Sequence, residues 1–410
     1  MSFLNPVFLA ENVRYRDGKR HAWLMSLLVP ALLGCGPLFY WWTGSVAAMW
    51  IPALLVYGLI PLLDALIGED LNNPPEEVVP LLEADSYYRW ATYALVPVLW
   101  AAFLGNAWFV GTRDLPWMAV LATVVNTGIL CGFAINLGHE LGHKKSKLER
   151  NLATSVLAMG AYGHFAIDHN RGHHRYVATP EDCASSRMGE NVYGFALREL
   201  PGGLVRAWRL EAGRLERHEQ RVWSLHNEII RAGLITVTVS VGLVIAFGPI
   251  MIPYLAGTYF IGASHLTLAN YVEHYGLLRQ KRPNGHYERC QPHHSWNSNH
   301  IVSNWALYHL QRHSDHHANP GRRYQSLRHF DALPTLPSGY FGMFLVALLP
   351  PLWFRVMDPI LLEHVRRDPA RIHFYPKRRK ALCERYGLAE SSEGNLSSLV
   401  SDGRSQIQAA

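Results

Sequence analysis

Three short stretches of this chain set histidines one helical turn apart. NLGHELGHK over 136–144 places His139 and His143 four residues apart, and DHNRGHH over 168–174 places His169 four before His173, with His174 next to it. LQRHSDHH over 310–317 places His313 three and four residues before His316 and His317. Residues three and four apart share a helix face, so the imidazoles of each box can point together and share a metal. A fourth element, NYVEHYG over 270–276, adds His274 at the end of an apolar run. Nine imidazoles are more than one ion takes, the usual ceiling being about six ligands. Two ions follow. Neutral imidazole suits zinc, copper, iron and nickel alike, so spacing leaves the metal open.

A carboxylate accompanies each group: Glu140, Asp168, Asp182, Glu273 and Asp315. Beside a metal-binding histidine a carboxylate commonly accepts from the far ring nitrogen and fixes the ring, and this is the role expected of all five. That one of them bridges the two ions stays open. His139 to His143 also fits H-E-x-x-H, the zinc protease pattern in which the glutamate is the general base. That reading uses two of the nine histidines and leaves seven idle. Of the others, His164 and His309 are placed outside the ligand set, His265 is read as an interhelical hydrogen bonder, and His293, His294 and His300 as surface residues or residues behind the ligands.

The boxes must be held by something greasy. Apolar residues make up 49% of the 410, yet they lie in blocks separated by polar stretches, and 11% aromatics collect at block ends, as at a membrane–water interface. About 20 apolar residues span a bilayer core, and six stretches qualify: 22–42, 47–66, 90–109, 117–137, 233–252 and 253–271. The fold class expected is therefore all-α, a polytopic membrane protein of six transmembrane helices capped by a helical region that holds the dinuclear site. Pro30, Pro52, Pro61 and Pro97 fall within spans, where neighbours can re-satisfy the freed backbone. Gly248-Pro249 marks a tight turn between the last two.

The layout expected is an N-terminal segment 1–21, helices one to four over 22–137, a polar region 138–231 with boxes one and two, helices five and six over 232–275, a polar region 276–388 with box three, and a Ser-rich tail or linker 389–410. Arg14, Arg16, Lys19 and Arg20 precede the first span, which places both termini in the cytoplasm. The two polar regions hold 19 of the 22 histidines. Residues 204–230 alternate apolar and basic residues as a surface-lying amphipathic helix would, and 341–354 is apolar but too short to span, hence interfacial or re-entrant. Five cysteines with no C-x-x-C argue against a disulfide framework or an iron–sulfur centre within the chain, so electrons must come from elsewhere.

With H-x3-H, H-x3-HH and H-x2-HH in that order, the chain resembles the membrane-bound non-haem di-iron desaturases and hydroxylases. Residues 136–144, 169–190, 270–276 and 310–318 are most similar to the bacterial alkane 1-monooxygenases, over about residues 15–385. Asp168 departs from that pattern, which has Glu there. The resemblance implies two iron ions at the nine histidines, O2 as co-substrate, medium-chain n-alkanes taken from the bilayer, and rubredoxin, served by an NAD(P)H-dependent reductase, as electron donor in the inner membrane of a bacterium. A donor tethered through the C-terminal linker is a variant of that arrangement. A desaturase or aryl-methyl hydroxylase would share the boxes. Val56, Leu59, Phe133, Ile135, Leu266 and Leu268, a turn or two below the ligands, are the expected walls of a substrate tunnel. Lys144, Lys145, Lys147, Arg279, Lys281, Arg282, Arg322 and Arg323, in a chain of net charge +6, would steer an acidic carrier. Membrane lipids and these proteins are the partners expected, with no nucleic acid.

Overall fold

The computed structural model describes residues 4–388; the tail expected at 389–410 lies outside the described residues. Helix dominates, as expected, with one exception: the N-terminal segment opens with a two-stranded hairpin, Phe8–Ala10 against Val13–Tyr15.

Among the described residues four helices are long and apolar enough to cross a membrane: Val46–Ile67, Ser86–Thr112, Trp117–Gly142 and Glu228–Phe247. Two bent pairs pass the same test together, Ala22–Leu33 with Gly36–Thr43 at 56° and Tyr340–Ala347 with Pro350–His364 at 120°. The six expected spans do not map onto these one to one. The first is bent, and the last, Met251–His274, is a continuous helix of 24 residues that is not among the six. It carries Thr258, Ser264, His265, Thr267, Asn270 and Glu273, because much of it faces protein rather than lipid. The short apolar stretch at 341–354 is in fact the elbow of the second bent pair.

Proline leaves its mark on Val46–Ile67. Pro52 and Pro61 each sit in the first turn of a short α segment, and Leu55–Leu59 between them is a π turn, which absorbs the hydrogen bond that Pro61 cannot donate.

The scaffold of the site is the pair Trp117–Gly142 and Met251–His274, running the same way and packed backbone to backbone. A Cβ on Gly128 would stand 2.5 Å from Ile261, and one on Gly262 would stand 2.7 Å from the Cβ of Cys131. Small residues of this kind are how membrane helices approach closely. Because the two helices run in parallel and end together, they bring box one and His274 to one level.

Box two is backed by Val192–Arg217, which begins twelve residues before the expected 204 and stops at His218, short of 230. Asn191 caps its start by accepting from the Gly194 amide, and Pro201 is carried inside it. Its buried stripe is Val192, Phe195, Glu199, Gly203, Ala207, Glu211 and Leu215. Tyr193, Leu197, Leu204 and Val205 stay exposed on its outer side, while on the inner side Glu211 pairs with Arg171 of box two and Arg206 with Asp168 and Asp182.

Candidate metal centre

Box one ends the Trp117–Gly142 helix, with His143 as its last-turn neighbour. Box two is not an α-helix. His169–His173 forms a π turn, in which residues five apart come into line in place of residues four apart. Box three is a helix of one and a half turns, His313–Ala318. Asp64, from the end of Val46–Ile67, accepts from the amides of Val302 and Ser303 at 2.9 and 3.1 Å and so anchors the short helix that leads into box three. The buried guanidinium of Arg312 ties the box to the carbonyls of Leu327 and Asp70 at 2.8 and 2.7 Å.

The nine histidines come together as two groups. His139, His143, His169, His174 and His316 form one; His173, His274, His313 and His317 form the other. Within each, the ligand nitrogens lie within 4.8 Å of one another. The spacing rule holds for His139 with His143 and for His313 with His317, whose Nε2 atoms are 2.9 Å apart. It fails in box two, where the π turn pairs His169 with His174 at 3.0 Å and sends His173 to the other group. It fails for His316 as well, which joins His139 at 2.9 Å. Each consecutive pair, His173–His174 and His316–His317, therefore gives one ring to each group. That division is what places the groups side by side.

The donor set fits metal. An ion bound to imidazole at ~2.0–2.1 Å sets adjacent nitrogens ~2.9–3.4 Å apart, and the Nε2 pairs here, His139–His316, His174–His169, His174–His316, His317–His313 and His313–His274, stand at 2.9, 3.0, 3.1, 2.9 and 3.4 Å. Nε2 of His143 and of His173 is buried with no hydrogen-bond partner. Burial, and then the neighbouring rings, hold His169, His174, His313, His316 and His317 well below the usual imidazole range. All five are neutral at pH 7, the form that binds metal.

The five carboxylates divide sharply. Asp182 does what was expected of all: its Oδ2 takes His173 Nδ1 at 2.8 Å, while Ser185 and Arg206 hold it at 2.7 Å each. Burial alone would raise its carboxyl, but His173 and Arg206 bring it well below the usual range. Asp168 instead accepts from Arg206, at 2.5 and 2.9 Å, and touches no ring of the groups. Glu140 pairs with Lys144 at 3.0 Å, and Asp315 with Arg322 at 3.2 Å and Asn319 at 2.7 Å. These three anchor the box elements through cations and amides, which win because a buried carboxylate gains more from a charged partner than from a neutral ring. Glu140 is thereby turned away from the role H-E-x-x-H would need. Glu273 differs again: its Oε2 lies 3.2 Å from His313 Nε2, beside the ligand atom and not behind the ring.

Below the two groups lies a narrow apolar slot. Phe133, Ile135 and Leu266 line it, as do Ile129, Ala269 and Phe341, which the sequence did not single out; His139, His169, His313 and Glu273 close its top. Three expected wall residues are elsewhere. Val56 and Leu268 are buried in helix packing, and Leu59 is 41% exposed on the outer face. A separate cleft reaches His143 from outside, rimmed by Arg89, Lys144, Lys145 and Arg323. His265 does join helices, through Tyr57, while its Nδ1 bonds the Ile261 carbonyl one turn back on its own helix, and His309 donates to the Tyr324 carbonyl at 3.1 Å, clear of the groups. His294 is buried beside Glu288 and His293. Its Nδ1 accepts from the Gln291 amide, which keeps the ring proton on Nε2 and leaves no lone pair for an ion.

Membrane-length helices, two adjoining imidazole groups and an apolar slot beneath them define a membrane-embedded, histidine-box metalloprotein. Residues 114–368 match the fatty acid desaturase family. The chain is 50% identical over 387 residues to alkane 1-monooxygenase of Ectopseudomonas oleovorans, covering 94% of this chain and 96% of that one. It is 50% identical over 382 residues to alkane 1-monooxygenase of Pseudomonas putida, covering 91% and 92%. The xylene/toluene monooxygenase hydroxylase component XylM of Pseudomonas putida is 27% identical over 355 residues, 82% of this chain and 87% of the relative. The chain belongs to the alkane 1-monooxygenases, within the fatty acid desaturase family.

Proposed function

We propose that this protein hydroxylates the terminal methyl of medium-chain n-alkanes to 1-alkanols, with O2 and with electrons from rubredoxin. The observation that carries this reading is the apolar slot closed at one end by both imidazole groups. Iron at the two groups supplies binding and reductive activation of O2. His139, His143, His169, His174 and His316 would hold one ion; His173, His274, His313 and His317 would hold the other, with the Glu273 oxygen in reach of the second.

The protein's own residues do the rest. An alkane has no polar handle, so the slot must select by shape and exclude water. Ile129, Phe133, Ala269 and Phe341 wall a passage that admits a chain end-on, which brings the terminal methyl to the metals although its carbon–hydrogen bonds are not the weakest in the molecule. Holding the reacting carbon in one place is worth a large share of the barrier. Asp182 fixes the tautomer of His173 through the 2.8 Å contact, leaving Nε2 free for metal.

In this reading six membrane passages place 138–231, 276–388 and both termini on the cytoplasmic side of the bacterial inner membrane, where a soluble carrier meets the metals. The slot opens toward the bilayer, from which the alkane enters. The test is an assay of detergent-purified protein with octane, O2, NADH, rubredoxin and its reductase, beside metal analysis. Two irons per chain and 1-octanol are expected. Zinc alone with no alcohol would overturn the reading, and an alkene product would move it to a desaturase.

A further inference from the structure

Glu199 is buried on the Val192–Arg217 helix and, among the described residues, has no ion-pair partner. Its carboxylate accepts from Thr267 Oγ1 at 2.8 Å and from Asn270 Nδ2 at 3.2 Å, both on the Met251–His274 helix. The other acid on its stripe, Glu211, is neutralised by Arg171 at 3.0 Å and Arg214 at 2.6 Å. Nothing comparable offsets Glu199, and a fold does not bury a carboxylate without a cation at no cost.

Its position gives it a use. Glu199 lines a small polar cavity with Tyr162, His164, Asp168, Asn270 and the box-two rings His169 and His173. Asn270, Leu266, Phe165 and His169 also line the apolar slot, so the two spaces share a wall and Glu199 stands behind it. The titratable groups around it are Asp168 and Asp182, both engaged by Arg206, together with Tyr162, Cys183, His164, His169 and His173. Burial and the two aspartates push the Glu199 carboxyl up to about 7, against the pull of Thr267 and Asn270. A carboxyl poised near the working pH can both give and regain a proton.

Hydroxylation consumes protons: alkane, O2, two electrons and two protons give alkanol and water. We propose that Glu199 delivers one of those two protons to the oxygen atom that leaves as water. Its O–H bond breaks, a new O–H bond forms on that oxygen, and the carboxylate regains a proton from solvent water reaching the polar cavity on the half-buried His164 side. The proposal rests on the monooxygenase reading above.

The test compares wild type, Glu199→Gln and Glu199→Asp. In infrared difference spectra of the resting protein, wild type should show a protonated-carboxyl band that fades as pH rises through about 7 and is missing from Glu199→Gln. At equal metal content and similar KM, Glu199→Gln should lose about 10²-fold in kcat, release peroxide in place of water, and lack the step near pH 7; Glu199→Asp should recover part of the rate. Wild-type kcat, coupling and pH profile in Glu199→Gln would overturn the proposal alone, as would a wild-type protein with no such band. A metal-loaded wild type that oxidises no alkane would overturn the reading beneath it. If Glu199→Gln does not fold, the Asp variant decides: a shifted band with a shifted pH profile supports the role, and an unshifted profile refutes it.

Discussion

Asp182 Oδ2 lies 2.8 Å from His173 Nδ1, and among the described residues no other ring of the nine rests its far nitrogen on a carboxylate. The aspartate is locked in turn by Arg206, which also holds Asp168, so one guanidinium steadies box two from behind. Orienting partners of this kind typically govern metal affinity by about 10–100-fold. Asp182→Asn should therefore weaken binding at the group of four by that factor and leave the group of five near its original affinity. Metal titration with two resolved steps checks this, and an unchanged second step would refute it.

That the histidines of the boxes belong together was legible, because nine at helical spacing leave few other uses, and the structure brings all nine into two adjoining groups. Their division was not. Counting i, i+4 assumes an α-helix, whereas His169–His173 is a π turn, a departure that spacing alone does not announce. The carboxylates show the same limit: adjacency in sequence put Glu140 and Asp315 beside ligands, yet Lys144 and Arg322, also near in sequence, took them. For the tunnel, depth along a helix could be read and rotation could not. Phe133 and Leu266 face the slot, while Leu268, two residues on, faces away.

Because the two groups draw on different rings, single substitutions should empty them separately. His274→Ala removes a ring from the group of four, and His143→Ala one from the group of five. Each should take the metal content from two per chain toward one, and the double variant toward none. Elemental analysis of the three proteins gives the answer. Loss of both ions from either single variant would mean that the groups form one inseparable centre.

The slot should act as a ruler. Ala269 stands in its wall between Leu266 and Asn270, so Ala269→Leu pushes side-chain bulk into the space an alkane needs. Each methylene excluded should cost about 1–3 kcal/mol of discrimination. The expected outcome is a product profile shifted to shorter 1-alkanols in a competition assay with mixed chain lengths. Leu59→Ala, on the exposed outer face, should leave the profile alone; a shift there and none at Ala269 would relocate the passage.

Glu199 should also be visible in stability, whatever its part in turnover. Its carboxyl is raised from 4.5 to about 7 in the fold, so its contribution is fully present below about pH 4.5 and is lost as pH rises through about 7. The span corresponds to about 3 kcal/mol at most. Thermal unfolding in detergent should thus show wild type losing ground to Glu199→Gln between pH 5 and pH 8. Parallel melting curves for the two proteins across that range would mean that Glu199 is ionised throughout.

The cleft that reaches His143 puts positive charge where an electron carrier would have to approach. Arg89, Lys144, Lys145 and Arg323 rim it, and His143 belongs to the group of five, so a redox partner docked there needs no path through the slot. Charge on a rim acts mainly on encounter rate and is screened beyond about 8–10 Å at physiological salt. Lys145 is exposed and outside the ion pairs that bind Lys144 to Glu140 and Arg323 to Glu149, so it can be reversed without disturbing the box. Lys145→Glu should raise the KM for rubredoxin several-fold at low salt, leave kcat at saturating carrier unchanged, and flatten the salt dependence of turnover. A salt-independent rate in the wild type, or a Lys145→Glu protein that keeps the wild-type KM, would place the docking surface on another face.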